Sequence, residues 1–156
     1  MSKTGKKITV LMNNVGGDWF HGMAIYDAIR ACFSPVDVEI YGQAMSMGAI
    51  ILQAGRKRLM HPNSALMIHD GYADSADRPV QSARNWSNFE ERLSRPRTYA
   101  ILAERSGHYA SFWKKKCSHD TIMTPEQAIE LGLADAILHP KRKLPNIRRK
   151  KVDRMK

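Results

Sequence analysis

The sequence predicts an α/β layer fold made of strand–helix crossover units. Three observations point there. Short apolar runs ending in turn residues alternate along the chain with helically spaced segments. Gly and Pro fall between these segments, where turns are needed. The chain has 156 residues, 43% of them apolar and 26% charged, which suits one soluble domain with a sizeable core.

The elements can be placed in order. Residues 8–12, Ile-Thr-Val-Leu-Met, read as a buried strand entering the tight loop Asn13-Asn14-Val15-Gly16-Gly17. Asp18 is placed to cap a helix in which Gly22, Ile25, Ile29 and Cys32 recur at helical spacing. Pro35 separates that helix from residues 36–40, Val-Asp-Val-Glu-Ile, an alternating strand. Gly42-Gln43-Ala44-Met45-Ser46-Met47-Gly48 then leads into a buried helix over residues 49–54. Residues 59–60 and 65–68 are two short strands with Pro62-Asn63 turning between them. From 79 to 105 the spacing is helical, with Trp86, Phe89, Leu93, Ala100 and Ile101 on one face and a kink or break expected at Pro96. Gly107 ends this segment. Thr124-Pro125-Glu126-Gln127 carries a capping-box signature, Gly132 closes that helix, and residues 133–138 form a last strand. There is no internal repeat.

Charge is unevenly placed. The chain carries 25 Lys plus Arg against 15 Asp plus Glu, a net of +10. Residues 140–156 hold nine of those basic groups and a single Asp, so the body over residues 1–139 is nearly neutral. The expected organisation is one domain over 1–139 and a basic, flexible tail over 140–156. That tail could take an anionic partner, but no aromatic residue interleaves its charges, so nucleic-acid binding by base stacking is not expected.

Cys32 and Cys117 make no disulfide framework, and the apolar run near the N-terminus is too short for a signal peptide or a membrane span. A cytoplasmic protein with reduced thiols is expected. Cys117-Ser118-His119 is a lone pair of candidate ligands with no second cluster, so no metal site is expected.

Ser46 stands between a strand and an apolar helix, with Ala44 and Gly48 as small neighbours. Such a sharp turn exposes a hydroxyl at a helix N-terminus, where free N–H groups stabilise an oxyanion. Read alone, a Ser between two Met residues is more often a packing residue. A nucleophile also needs a base, and of the six histidines His69 sits at the end of an apolar strand, where open α/β sheets carry their chemistry. A solvated strand-end polar residue is the plainer reading of that position.

Taken together, Asn13-Asn14-Val15-Gly16-Gly17, Gly22-Met23-Ala24-Ile25-Tyr26-Asp27, the Ser46 segment from Gly42 to Ala49, Pro62-Asn63-Ser64, Met67-Ile68-His69 and Gly132-Leu133-Ala134-Asp135 occur in the order found in Clp protease proteolytic subunits. The resemblance runs from about residue 8 to 138. It implies the spiral of β-β-α units shared with the crotonase superfamily, with a protruding handle helix after Asp70 that exposes Trp86 and Phe89. It implies Ser46 as nucleophile, His69 as general base and Asp120 as the third triad member, with helix capping ahead of Thr121 as the alternative role for Asp120. The backbone N–H groups of Gly17 and Met47 match the oxyanion hole. No metal or organic cofactor is implied.

The function implied is a serine endopeptidase acting on polypeptides, as a homo-oligomer of heptameric rings. Some positions depart from the family. Val15 stands for Pro in the Gly-Gly loop, Asp70-Gly71 for Gln-Pro after the base, and Thr121 for an Arg that pairs across rings. The chain starts near the strand before the Gly-Gly loop, so the gating segment that meets an AAA+ unfoldase is not expected, nor is that partnership. In length and divergence the chain resembles the Clp-related proteases of tailed phages. Two other readings compete: a non-catalytic ring or scaffold binding a partner through the basic tail, and an acyl-CoA enzyme of crotonase type.

Overall fold

A computed structural model describes residues 5–71 and 78–139. The elements run β1 (Ile8–Asn14), α1 (Trp19–Ala31), β2 (Val36–Met45), α2 (Met47–Gln53), β3 (Arg58–Met60), β4 (Ala65–Ile68), α3 (Val80–Phe89), α4 (Arg95–Ser106), α5 (Ala110–Cys117), β5 (Thr121–Met123), α6 (Pro125–Glu130) and β6 (Ala136–Ile137). A π-helical turn over Glu90–Ser94 joins α3 to α4. The α/β expectation holds, and the tail assigned to 140–156 lies outside the described residues.

β2 is the hub of a six-stranded sheet ordered β5-β4-β2-β3-β6, with β1 also paired to β2. All pairs are parallel except β4 with β5. The first half of β2 pairs with β3 (Val38 with Arg58) and the second half with β4 (Met45 with Met67). Between the halves Gly42 takes φ +75°, and the β1–β2 register slips between Met12 and Asn14. A side chain at Gly42 would crowd Asn13 Oδ1 at 3.2 Å, so glycine permits both the bend and the close strand. The sheet curls there.

β2 does not alternate as expected. Val36, Asp37 and Val38 are all buried, because a central strand of a largely parallel sheet is covered on both faces. Asp37 is tolerated inside because Arg56 meets it with two hydrogen bonds of 2.9 Å. Helix α2 is buried at all seven residues, as a helix that is apolar all round must be. Val38, Ile40, Leu52, Met60, Leu66, Ile68, Leu102 and Leu133 form the dry centre.

Asp18 caps α1 by accepting the His21 N–H at 3.0 Å, as predicted. The inward face differs: Gly22 and Tyr26 are buried while Ile25 is 48% exposed and Cys32 lies beyond the helix end, exposed. Gly22 eases the close crossing of α1 over α2, since a Cβ there would lie 3.1 Å from Met47 Cβ.

The long helical segment breaks near Pro96, as expected, but through the π turn. Proline offers no N–H, and the Arg95 N–H reaches back to the Glu90 carbonyl. The extra residue rotates the C-terminal part of the segment by about one residue's worth of helix, roughly 100°. Leu93 and Ala100 therefore face out, and Tyr99, Ile101 and Leu102 face the core. Helix α5 and strand β5 were not anticipated; α5 is anchored by Trp113, fully buried with its indole N–H donating to Ser106 Oγ at 3.0 Å. The capping box at Thr124 forms with both reciprocal bonds, and the last strand is only Ala136–Ile137. Among the described residues no helix is long and apolar enough to cross a membrane.

Candidate active site

Sheet order brings three sequence-distant positions to one end. β2 and β4 are parallel neighbours, so Ser46, just past β2, and His69, just past β4, emerge on the same side. β5 runs antiparallel to β4 with Ile68 opposite Thr121, so the residue entering β5, Asp120, arrives there too. The Ser46 N–H still donates to the Met67 carbonyl at 2.8 Å, one last ladder bond before the chain turns into α2.

The side chains meet. His69 Nε2 lies 2.9 Å from Ser46 Oγ, and His69 Nδ1 lies 3.1 Å from Asp120 Oδ1. The imidazole is 14% exposed and the Asp120 carboxylate 55%, so the ring separates a solvated carboxylate from a part-buried hydroxyl. Asp120 precedes a strand rather than a helix, which removes the capping role considered for it.

Ser46 has φ +53° and is the one non-glycine residue with positive φ among the described residues. Such a backbone is costly and persists only where packing enforces it. Gly16 supplies part of that packing: a Cβ there would sit 2.7 Å from Ser46 Cβ. Gly48, at the start of α2, likewise allows Asn14 of β1 to approach, with a Cβ only 3.1 Å from the Asn14 Cβ. The Gly16 requirement was visible in the sequence only as one half of a Gly-Gly loop.

A cavity of about 480 Å³ opens beside Ser46, lined by Gly17, Met47, Ile50, Ile68 and His69 among others. Both positions matched to an oxyanion hole thus share one cavity with Ser46. Met47 is the first residue of α2, where backbone N–H groups have no intrahelical acceptor. Gly17 has φ +142°, a conformation that favours glycine.

The far wall is aromatic. Phe20 stacks on Phe89 at 5.2 Å, Trp19 meets Phe89 edge-on at 5.4 Å, and Trp86 meets Phe89 at 5.8 Å. Trp86 is exposed, as expected of the handle helix, while Phe89 is half-buried, and both rings line the cavity. Sequence reasoning missed Trp19 and Phe20 as partners because they lie on α1, some seventy residues away. His61 also follows a strand, but its ring packs at a tilt against Tyr41, with centroids 3.9 Å apart. Among the described residues no group of three His, Cys, Asp or Glu is placed to hold a metal ion.

The chain is thus of the α/β class, with a serine and a histidine paired at the C-terminal ends of parallel strands. Within it, the family model described as Clp protease matches residues 1–141, and the chain belongs to the Clp protease family. Membership implies serine peptidase activity, and the curled mixed sheet with its helices is the fold of that family.

Proposed function

We propose that the chain is a serine endopeptidase using Ser46, His69 and Asp120 as a catalytic triad. The observation that carries this is the continuous relay from Asp120 through His69 to Ser46, at 3.1 and 2.9 Å. His69 takes the Ser46 proton as the hydroxyl attacks a peptide carbonyl, and Asp120 holds the imidazole with its proton on Nδ1. The carbonyl oxygen, now an anion, is received by the N–H groups of Gly17 and Met47. His69 then protonates the leaving amine, and water, activated by the same imidazole, releases the acyl-enzyme.

Residues 1–139 make up the catalytic unit, and 140–156 form a basic appendage outside it. The substrates are polypeptides, and the assembly is a ring or stacked pair of rings. Support for assembly comes from β1, which pairs with β2 alone among the described residues and leaves Ile8 and Leu11 exposed, with Val15 of the following loop exposed beside them. A sheet edge with large apolar side chains is a surface that monomers rarely leave uncovered.

Ser46→Ala tests the chemistry. Peptide hydrolysis should fall by roughly 10⁴ to 10⁶ if the triad acts as a unit. A fluorophosphonate should label the parent stoichiometrically at Ser46 and leave His69→Ala unmodified. A Ser46→Ala protein as active as its parent would sink the reading. Mass in solution tests the assembly, with a monomer the contrary outcome.

A further inference from the structure

We propose that Asp70 is a positioning residue for His69, held in place by the Tyr99 hydroxyl, and that it keeps the base aligned on Ser46 during turnover. The inference rests on the peptidase reading above. His69 follows the last residue of β4, so the ladder alone does not hold it. On the strand side, Ile68 pairs with Thr121. On the other side the Asp70 N–H donates to the Cys117 carbonyl at 2.6 Å. His69 is thereby bracketed by two ties to one segment, residues 117–121, and that segment carries Asp120.

The Asp70 side chain adds a third tie to a different element. Its Oδ1 accepts the Tyr99 hydroxyl at 2.6 Å, from a residue of α4 that is only 6% exposed. A hydrogen bond to a charged acceptor is shorter and stronger than a neutral one, and its direction is fixed by the buried ring. The next residue has open space around it, since a Cβ on Gly71 would meet nothing within 4 Å. The surroundings register its charge, since burial and then Asp70 push the Cys117 thiol up to about 12. Burial and the bond to Asp70 also raise Tyr99 above its ordinary value, which keeps the phenol a donor.

Asp70 lines the same cavity as Ser46 and His69, but its Oδ1 is engaged by the Tyr99 hydroxyl. Its effect reaches Ser46 through the His69 backbone, and a misplacement near 1 Å of a reacting group costs on the order of 10²-fold in rate. The predicted consequence falls on kcat and spares KM.

The experiment compares Tyr99→Phe, Asp70→Ala, Asp70→Asn and the Tyr99→Phe/Asp70→Ala double variant with the full-length parent. Steady-state hydrolysis of a fluorogenic peptide, the rate of fluorophosphonate labelling and the melting temperature are read for each. Tyr99→Phe and Asp70→Ala should each lower kcat and labelling by about 10- to 100-fold, with KM changed by less than about twofold. The double variant should be no slower than Asp70→Ala, because both changes break one contact. Asp70→Asn keeps an acceptor for the hydroxyl and should recover most of the rate, so the overturning outcomes apply to Tyr99→Phe and Asp70→Ala, and Tyr99→Phe decides the matter if the alanine variant does not fold. Rates near the parent's, losses confined to KM, or losses that multiply in the double variant overturn the inference. A parent that no fluorophosphonate labels removes the peptidase reading and this inference with it. A parent that labels normally beside an equally fast Tyr99→Phe removes the positioning role alone.

Discussion

His69 Nδ1 stands 3.1 Å from Asp120 Oδ1, and the pairing of Ile68 with Thr121 sets that distance through the backbone. Each residue sits one position beyond its paired neighbour at the same end of the β4–β5 ladder, so the contact follows from strand register. Asp120→Asn should keep this geometry and spoil the chemistry. An amide can donate to Nδ1 and favour the imidazole with its proton on Nε2, the wrong tautomer for accepting from Ser46. The expected fall in kcat is on the order of 10³ to 10⁴, with the fold unchanged. Turnover and circular dichroism on the same sample check it; a loss below about tenfold would show that the ring is oriented by other contacts.

Gly16 is the residue that lets Ser46 keep its positive φ. Gly16→Ala would place a methyl 2.7 Å from Ser46 Cβ and 3.0 Å from the Met45 carbonyl, at a backbone φ of +99°. Both the clash and the backbone strain act against the substitution. A loss of stability of roughly 1–3 kcal/mol is expected, together with a larger proportional loss of labelling at Ser46. Denaturant midpoints and labelling rates on Gly16→Ala measure the two effects separately. Labelling at the parent's rate would show that Gly16 is not needed for the turn.

Strand–helix alternation revealed the frame of this fold because its strands are short, apolar and bounded by Gly or Pro. Ser46 was legible for the same reason: a strand, a small-residue turn and an apolar helix are local features. Asp120 was not, because its placement depends on β5 pairing with β4 across some fifty residues, and nothing around Asp120 marks a strand end. The face of α1 was misread because Ile25 and Tyr26 are adjacent and only packing against Met47 decides between them. The contact from Asp70 to Tyr99 has no local pattern at all, since it joins the end of a strand to a helix reached through a π turn.

The two cysteines should react at very different rates. Cys32 is exposed, whereas Cys117 is 1% exposed and its thiol is pushed up to about 12, chiefly by burial and then by the charge of Asp70. The thiolate is the reactive form, so at pH 8 Cys117 is both hidden and protonated. A disulfide reagent should therefore titrate one thiol quickly in the native protein and the second only on unfolding. Two fast thiols without denaturant would contradict the packing of α5.

Asp135 ties the last strand to the sheet and should govern stability in acid. Burial raises its carboxyl, but hydrogen bonds from the Arg58 side chain and backbone and the nearby Arg105 outweigh that, and the net direction is down. Arg58 Nε donates to Oδ1 at 3.1 Å and the Arg58 N–H to Oδ2 at 2.8 Å, while the Arg58 side chain is only 4% exposed. A carboxyl held below its unfolded value of about 3.9 stabilises the fold fully above that pH, and loses the contribution as pH falls through the lower folded value. Asp135→Asn removes the carboxylate charge beside a buried guanidinium, which keeps Gln53, the Gly132 carbonyl and the new amide oxygen as acceptors. At pH 7 the variant should be less stable by roughly 1–2 kcal/mol, because Arg58 is buried but the Asp135 carboxylate is partly solvated. Between pH 4 and 2 the gap to the parent should close, since the parent then loses the same charge. Denaturant unfolding of both proteins over that interval checks it, and a gap that stays constant would place the stabilisation in packing instead of charge.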